Sequence, residues 1–248
     1  MTEQNELEAE AGNQAKKQQN LMPWIVTILI AAWLIGMAIL GAGWLIANEI
    51  SKQGTQFAGS GLQEQGINSP IDIQIPESVP RLGSDDAKVT VIEFADYQCP
   101  YCAQWHFDIF SKLKSEYIDT GKIKFAFWDF AFLGEESFKA AEAAMCSSAQ
   151  GKFWEYHDAL FVAQASETDN PLSDTSLKQI AQNTGLNATS FSECFDARIN
   201  KPIVEDLTNQ GVNYGVGSTP TVFINGLKFE GVLPWETYQQ VIETELAK

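Results

Sequence analysis

From Trp24 to Ala47 the chain runs for 24 residues without a charged side chain, and Thr27 is the one clearly polar residue among them. No other stretch restricts the chain so strongly. A helix at a protein surface needs a polar face, and a buried core helix seldom runs this long without one. As an α-helix the stretch is about 36 Å long, enough to cross a hydrocarbon core of about 30 Å with some tilt. Pro23 precedes it, Asn48 and Glu49 end it, and Trp24 and Trp44 stand near its two ends as interfacial anchors do. A cleaved leader would carry an apolar region of only about 7 to 15 residues. Residues 24–47 therefore read as an uncleaved, signal-anchor transmembrane helix whose partner is the lipid bilayer. Lys16, Lys17 and the free amino terminus lie on one side and Lys52 on the other. This places tail 1–23 in the cytoplasm and the rest outside the cytoplasmic membrane, although Glu3, Glu6, Glu8 and Glu10 crowd the same tail. The pairs Ala32/Gly36 and Gly43/Ala47 match ordinary membrane composition better than a helix-pairing face.

Cysteine usage agrees with that orientation, because all four cysteines (99, 102, 146 and 194) follow the span, in a space where disulfides persist. Residues 51–70, rich in Gly, Ser and Gln, signal a flexible tether, and a 33-residue linker over 48–80 would reach roughly 30 Å as a coil. Ile71, Ile73 and Ile75 alternate with polar residues and offer a short edge strand bounded by Pro76 and Pro80. The globular part then covers 81–248 and carries 13 Lys and Arg against 24 Asp and Glu, a charge of −11. The whole chain is at −16, which repels phosphate backbones and excludes nucleic acid as a partner.

Within 81–248 the pattern begins with a β-branched apolar run, Val89 to Phe94, typical of a buried strand. A helical stretch follows Cys99-Pro100 and ends near Gly121; a second strand covers Ile123 to Phe130. The middle is helical in five pieces: Glu135–Ser148, Gly151–Ala165, Thr175–Thr184, Thr189–Ala197 and Pro202–Tyr214. Strand character returns at Thr221–Ile224, turns at Asn225-Gly226, resumes at Lys228–Val232, and gives way to a last helix opened by Pro234. The order is βαβ, a helical insert over about 135–213, then ββα.

Cys99-Pro100-Tyr101-Cys102 stands directly after a strand and at the first turn of a helix. Unpaired N–H groups and the positive end of the helix dipole stabilise a thiolate there, so the first cysteine becomes acidic and nucleophilic. The second is placed to close an intramolecular disulfide and release a mixed one. Pro100 costs nothing at a helix start. A zinc pair and an inert disulfide are the other readings of such a motif. Structural zinc would want a second Cys or His pair, yet Cys146 and Cys194 lie 48 residues apart and His106 and His157 lack ligand spacing, so no metal is expected.

The strand, Cys99-Pro100-Tyr101-Cys102, and later Gly217-Ser218-Thr219-Pro220-Thr221-Val222-Phe223 with Ile224-Asn225-Gly226 resemble a thioredoxin fold of the DsbA family, in its membrane-anchored, exported form. Ala140 to Phe161 resembles that family's helical insert. The resemblance implies an α/β thioredoxin fold with a helical insertion, here preceded by one transmembrane helix. It further implies that the Thr219-Pro220 bond is cis, that its loop faces the cysteines beside Pro100 and Tyr101, and that the Thr219 backbone pairs with substrate; a plain trans Pro opening a strand is the alternative. Glu93 falls where the family often has a buried acid that relays the proton of Cys102, the alternative being an acid on an exposed strand face. Asp96, a loop acid just before the helix, is a weaker candidate. Cys146 and Cys194 fall on two helices of the insert and read as a structural disulfide, with an idealised gain of about 4 kcal/mol; two free thiols or a second redox pair are the alternatives. His106 and His157 sit in aromatic surroundings and read as packed or hydrogen-bonded. Pro-Tyr between the cysteines is the dipeptide of glutaredoxins, not the Pro-His of the strongest oxidants.

The expected activity is thiol–disulfide exchange with unfolded or reduced exported proteins, most simply as oxidant, with Cys99 as nucleophile and Cys102 resolving. Reoxidation would then need a DsbB-like or vitamin-K-epoxide-reductase-like membrane partner, and no metal or organic cofactor. A reductase or isomerase, and a peptide-binding or chaperone module with purely structural cysteines, are the rival readings.

Overall fold

The computed structural model describes residues 70–166 and 169–248. Among these, no helix is long and apolar enough to cross a membrane; the span expected at 24–47 lies outside the described residues. Five strands form one mixed sheet: β1 (Arg81–Gly83), β2 (Val89–Ala95), β3 (Ile123–Asp129), β4 (Thr221–Ile224) and β5 (Leu227–Glu230), in the order β1-β3-β2-β4-β5. β2 and β3 run parallel, joined by a crossover helix; the other pairs are antiparallel.

Strand β2 is buried on both faces, as its unbroken apolar run requires. Val89, Val91 and Ala95 join Phe125, Phe127, Val222 and Ile224 on one face. Ile92 and Phe94 join Ala126, Trp128 and Phe223 on the other. The first face is covered by the crossover helix α1 and by the last helix, α7 (Trp235–Leu246). Helix α1 runs from Pro100 to Ile118 and contains two π-helical turns, His106–Phe110 and Lys114–Ile118. The second face is covered by α6 (Lys201–Asn213) through Val204 and Leu207. Gly211 permits that approach, since a Cβ there would lie 2.5 Å from the Phe130 ring.

The insert comprises α2 (Glu135–Ser148), α3 (Phe153–Gln164), α4 (Asp174–Asn183), α5 (Ala188–Asp196) and α6. Its helices start one or two residues away from the pattern-based bounds or coincide with them. Ser173 and Asn187 cap α4 and α5 by accepting from the N–H groups of Ser176 and Ser190. At the β4–β5 turn Asn225 and Gly226 both have positive φ, 46° and 82°, the geometry of a tight Asn-Gly hairpin.

Two expectations need correction. Ile71, Ile73 and Ile75 form no ladder strand; they lie half-buried against the second face, held by Ile71 N–H to Gly226 O (3.0 Å) and Gln74 N–H to Tyr214 Oη (3.2 Å). The globular body therefore begins before residue 81, taking in residues 70–80 that were assigned to the linker, and Val79 is only 2% exposed. The edge is instead formed by β1, a three-residue strand that pairs Arg81–Gly83 with Lys124–Ala126.

Candidate active site

Cys99 ends the loop after β2 and forms the N-cap of α1, with Pro100 in the first helical position. The two cysteines are free thiols and both are buried, Cys99 at 5% exposure and Cys102 at 0%. Their environments differ in sign. Cys99 is lowered to about 6, first by the hydrogen bond from the Cys102 thiol and then by Thr219 and the backbone N–H groups of Cys102 and Tyr101, against the cost of burial. Cys102 is pushed well up, chiefly by burial, with Cys99 and Glu93 adding to the effect. One cysteine is prepared to be a thiolate and the other to remain a thiol.

The Thr219–Pro220 peptide is cis, and Thr219 O accepts from Cys99 Sγ at 3.3 Å. Proline at 220 offers no N–H to the sulfur. Tyr101 is 62% exposed beside the thiols, and Phe107, Phe132 and Leu133 add partly exposed apolar surface. Glu93 is 2% exposed, with Oε1 unpartnered. Burial, and secondarily the charge of Cys99, hold its carboxyl well above the usual range. Its protonated form is therefore favoured, and it lies on the same sheet face as the cysteines.

Sequence reasoning undervalued Asp96 and missed Asp129. The Asp96 carboxylate, 2% exposed, accepts from Gln98 N–H (2.8 Å), Phe132 N–H (2.9 Å), Leu133 N–H (3.1 Å) and Ser137 Oγ–H (2.7 Å). It ties the loop that carries Cys99 to the loop after β3 and to the start of α2. Asp129, paired in register with Ala95, is 1% exposed and neither carboxyl oxygen has a partner. Burial, then the neighbouring Asp96, push it up, which favours the neutral form of Asp129. The signal for it was an acid inside the apolar run Ile123–Phe130.

The second cysteine pair is elsewhere. Cys146 on α2 and Cys194 on α5 form a disulfide with Cα atoms 5.9 Å apart. Asn200 Nδ2 contacts both sulfurs at 3.3 and 3.4 Å, and Arg198 binds Glu142 and Glu135 across the same helices. His157 is buried, with Nδ1 3.0 Å from Tyr97 Oη, and burial holds it well below its ordinary value. His106 is lowered to about 4 for the same reason. Both are neutral imidazoles packed among rings.

A low-pKa thiol at a helix start, a buried partner three residues on and a cis-proline loop facing them define a thiol–disulfide oxidoreductase of thioredoxin fold. A family model described as thioredoxin matches residues 77–244, and the chain belongs to that family, on its DsbA-like branch. The chain is 30% identical over 186 residues to disulfide bond formation protein D of Bacillus subtilis, covering 74% of this chain and 84% of that one. The crystal structure of oxidised BdbD from Bacillus subtilis superposes with a TM-score of 0.66 at 30% identity, over 73% of this chain and 100% of that chain. That of Wolbachia pipientis alpha-DsbA1 does so with 0.64 at 27% identity, over 71% and 94%. The enzyme is a protein thiol–disulfide oxidoreductase.

Proposed function

We propose that the chain is anchored to the cytoplasmic membrane by residues 24–47 and, on the extracytoplasmic side, donates a Cys99–Cys102 disulfide to exported proteins. The observation that carries this reading is the opposed pair of thiols, Cys99 lowered to about 6 and Cys102 raised. A stabilised thiolate favours the reduced enzyme and hence makes its disulfide oxidising. A value near 6 lies below the roughly 7 of thioredoxin and above the roughly 3.5 of the strongest oxidants, so a potential between theirs is expected.

In the forward direction a client thiolate attacks Cys99 Sγ, the Cys99–Cys102 bond breaks, and the departing Cys102 sulfur takes a proton from neutral Glu93. A second client thiolate then attacks the client sulfur of the mixed disulfide and Cys99 leaves as the thiolate. Two electrons pass from the client to the enzyme. The Thr219 carbonyl and the exposed Tyr101 line the place where an extended client backbone would lie. A membrane oxidant of DsbB-like or vitamin-K-epoxide-reductase-like kind would take the electrons onward, reached through the tether.

Equilibration of the purified chain with glutathione tests the direction. A potential well above about −270 mV, on the way toward about −120 mV, supports the oxidant role, whereas one near about −270 mV would assign the chain to reduction or isomerisation. Trapping on Cys102→Ser is expected to accumulate mixed disulfides through Cys99 with both clients and the membrane partner.

A further inference from the structure

His106 and His157 are 51 positions apart in the chain, a spacing that carries no metal signature. The fold nonetheless brings one ring nitrogen of each, and a carboxylate oxygen of Asp158, within 4.8 Å of one another. No other such group of three potential ligands occurs among the described residues. His106 Nε2 is 3.6 Å from Asp158 Oδ1. Donors about 2.0–2.1 Å from a tetrahedral zinc ion are roughly 3.3 Å apart, so closure needs at most about 1.5 Å of relative movement between any two of them. Asp158, its side chain 58% exposed, is free to supply that movement and leaves one flank open to water.

Two further features set this cluster apart from ordinary packing. His106 opens the π-helical turn His106–Phe110, a rare geometry that within α-helices occurs frequently at functional sites. Tyr97 Oη meets His157 Nδ1 at 3.0 Å, the outer-shell contact that fixes ring orientation in metal-binding histidines. With Tyr97 accepting from Nδ1–H, the lone pair of Nε2 is free.

We propose that His106, His157 and Asp158 bind one divalent transition-metal ion of zinc type, with water completing its coordination, and that the ion staples the active-site helix α1 to α3 of the insert. The role is structural, involves neither redox cysteine, and does not depend on the direction of thiol exchange. The ligand set, two imidazoles and one carboxylate, suits zinc and cobalt better than calcium or magnesium, which prefer oxygen.

The test uses the untagged full-length chain with Cys99–Cys102 oxidised, so that no free thiolate competes. Calorimetric titration with zinc should saturate at one ion per chain, and cobalt should give ligand-field bands without thiolate-to-metal charge transfer. Asp158→Asn, an exposed change, should weaken binding at least tenfold without altering thermal stability in chelator, and His106→Asn should weaken binding as much while also lowering stability, because the ring it removes is buried among Phe110 and Phe161. Absence of saturable binding, binding unchanged in Asp158→Asn, or a thiolate charge-transfer band would overturn the proposal.

Discussion

The two cysteine pairs sit in environments built on opposite terms. Around Cys146–Cys194 the buried polar groups have partners: Asn200 reaches both sulfurs, and Glu142, fully buried, is held by Arg198 at 2.5 Å. Around Cys99 and Cys102 Asp96 is fully partnered, but Glu93 Oε1, Trp105 Nε1, both Asp129 oxygens and Thr219 Oγ1 are buried without partners. An unsatisfied interior group costs roughly 1–3 kcal/mol, so the active-site end of the sheet is maintained against its own stability while the insert is not. The same contrast separates a pair that can change oxidation state from a pair that holds two helices together.

The largest test of this division is to remove each pair in turn. Cys99→Ser should abolish thiol exchange with a reduced client while leaving the melting temperature nearly unchanged. Cys146→Ser with Cys194→Ser should leave exchange within about twofold but cost about 4 kcal/mol, a fall of roughly 10 °C in melting temperature. If the second variant lost exchange while remaining folded, the insert disulfide would belong to the redox chemistry and the division would fail.

Next in size is the ion pair that braces the insert. Arg198→Met leaves the Glu142 carboxylate buried without its partner, and breaking a wholly buried pair costs about 3–5 kcal/mol. Arg198 keeps 30% side-chain exposure, so about 2 kcal/mol is expected, read from denaturant midpoints at pH 7.

Glu93 tests the other region. Its raised pKa means that the unfolded chain ionises this acid before the folded one does. Stability is therefore fully present below the ordinary value of 4.5 and declines as pH rises from there toward the elevated folded value. Glu93→Gln should flatten that decline and stabilise the domain at neutral pH. It should also slow the step that breaks the Cys99–Cys102 bond by about 10- to 100-fold, through loss of the proton donor to Cys102. A variant that is more stable and equally fast would remove Glu93 from the chemistry and leave it as a buried acid only.

What was legible in the sequence follows how local each signal is. The strand before Cys99, the Pro100 helix start, the Asn225-Gly226 turn and the five insert helices are written in neighbouring residues, through period, caps and breakers. β1 was not legible, because three residues carry no period and Arg81–Gly83 is a strand only by pairing with β3. Glu93 could be assigned to neither face from β2 alone; its burial depends on helices that arrive later in the chain. Asp96 acquires four donors from positions 98, 132, 133 and 137, and Asp129 meets Asp96 only through the β2–β3 register. His106 and His157, dismissed as ligands on spacing, are joined by the packing of α1 on α3. Spacing rules describe sites within one element and are silent on sites between two.

The smallest predictions distinguish the regions by sign. Thr219 reaches Cys99 through its carbonyl, which valine retains, while its hydroxyl is buried without a partner. Thr219→Val should therefore stabilise the domain by about 1 kcal/mol, because an unsatisfied polar group is replaced by a methyl of similar volume. It should also move Cys99 upward from about 6, since the Thr219 side chain, whose hydroxyl can donate to the sulfur once Cys99 ionises, is among the groups that lower it, and thiolate absorbance against pH reads that change directly. In the insert, Asn200→Ala removes donors that are in use and should destabilise by about 0.5 kcal/mol, with no effect on the Cys99 titration. Opposite signs for two buried polar truncations are what a division between a region kept poised and a region kept satisfied requires. Equal signs would mean that the unpartnered atoms near Cys99 are hydrated in solution, and that the two ends of the domain differ in solvent content instead of stored cost.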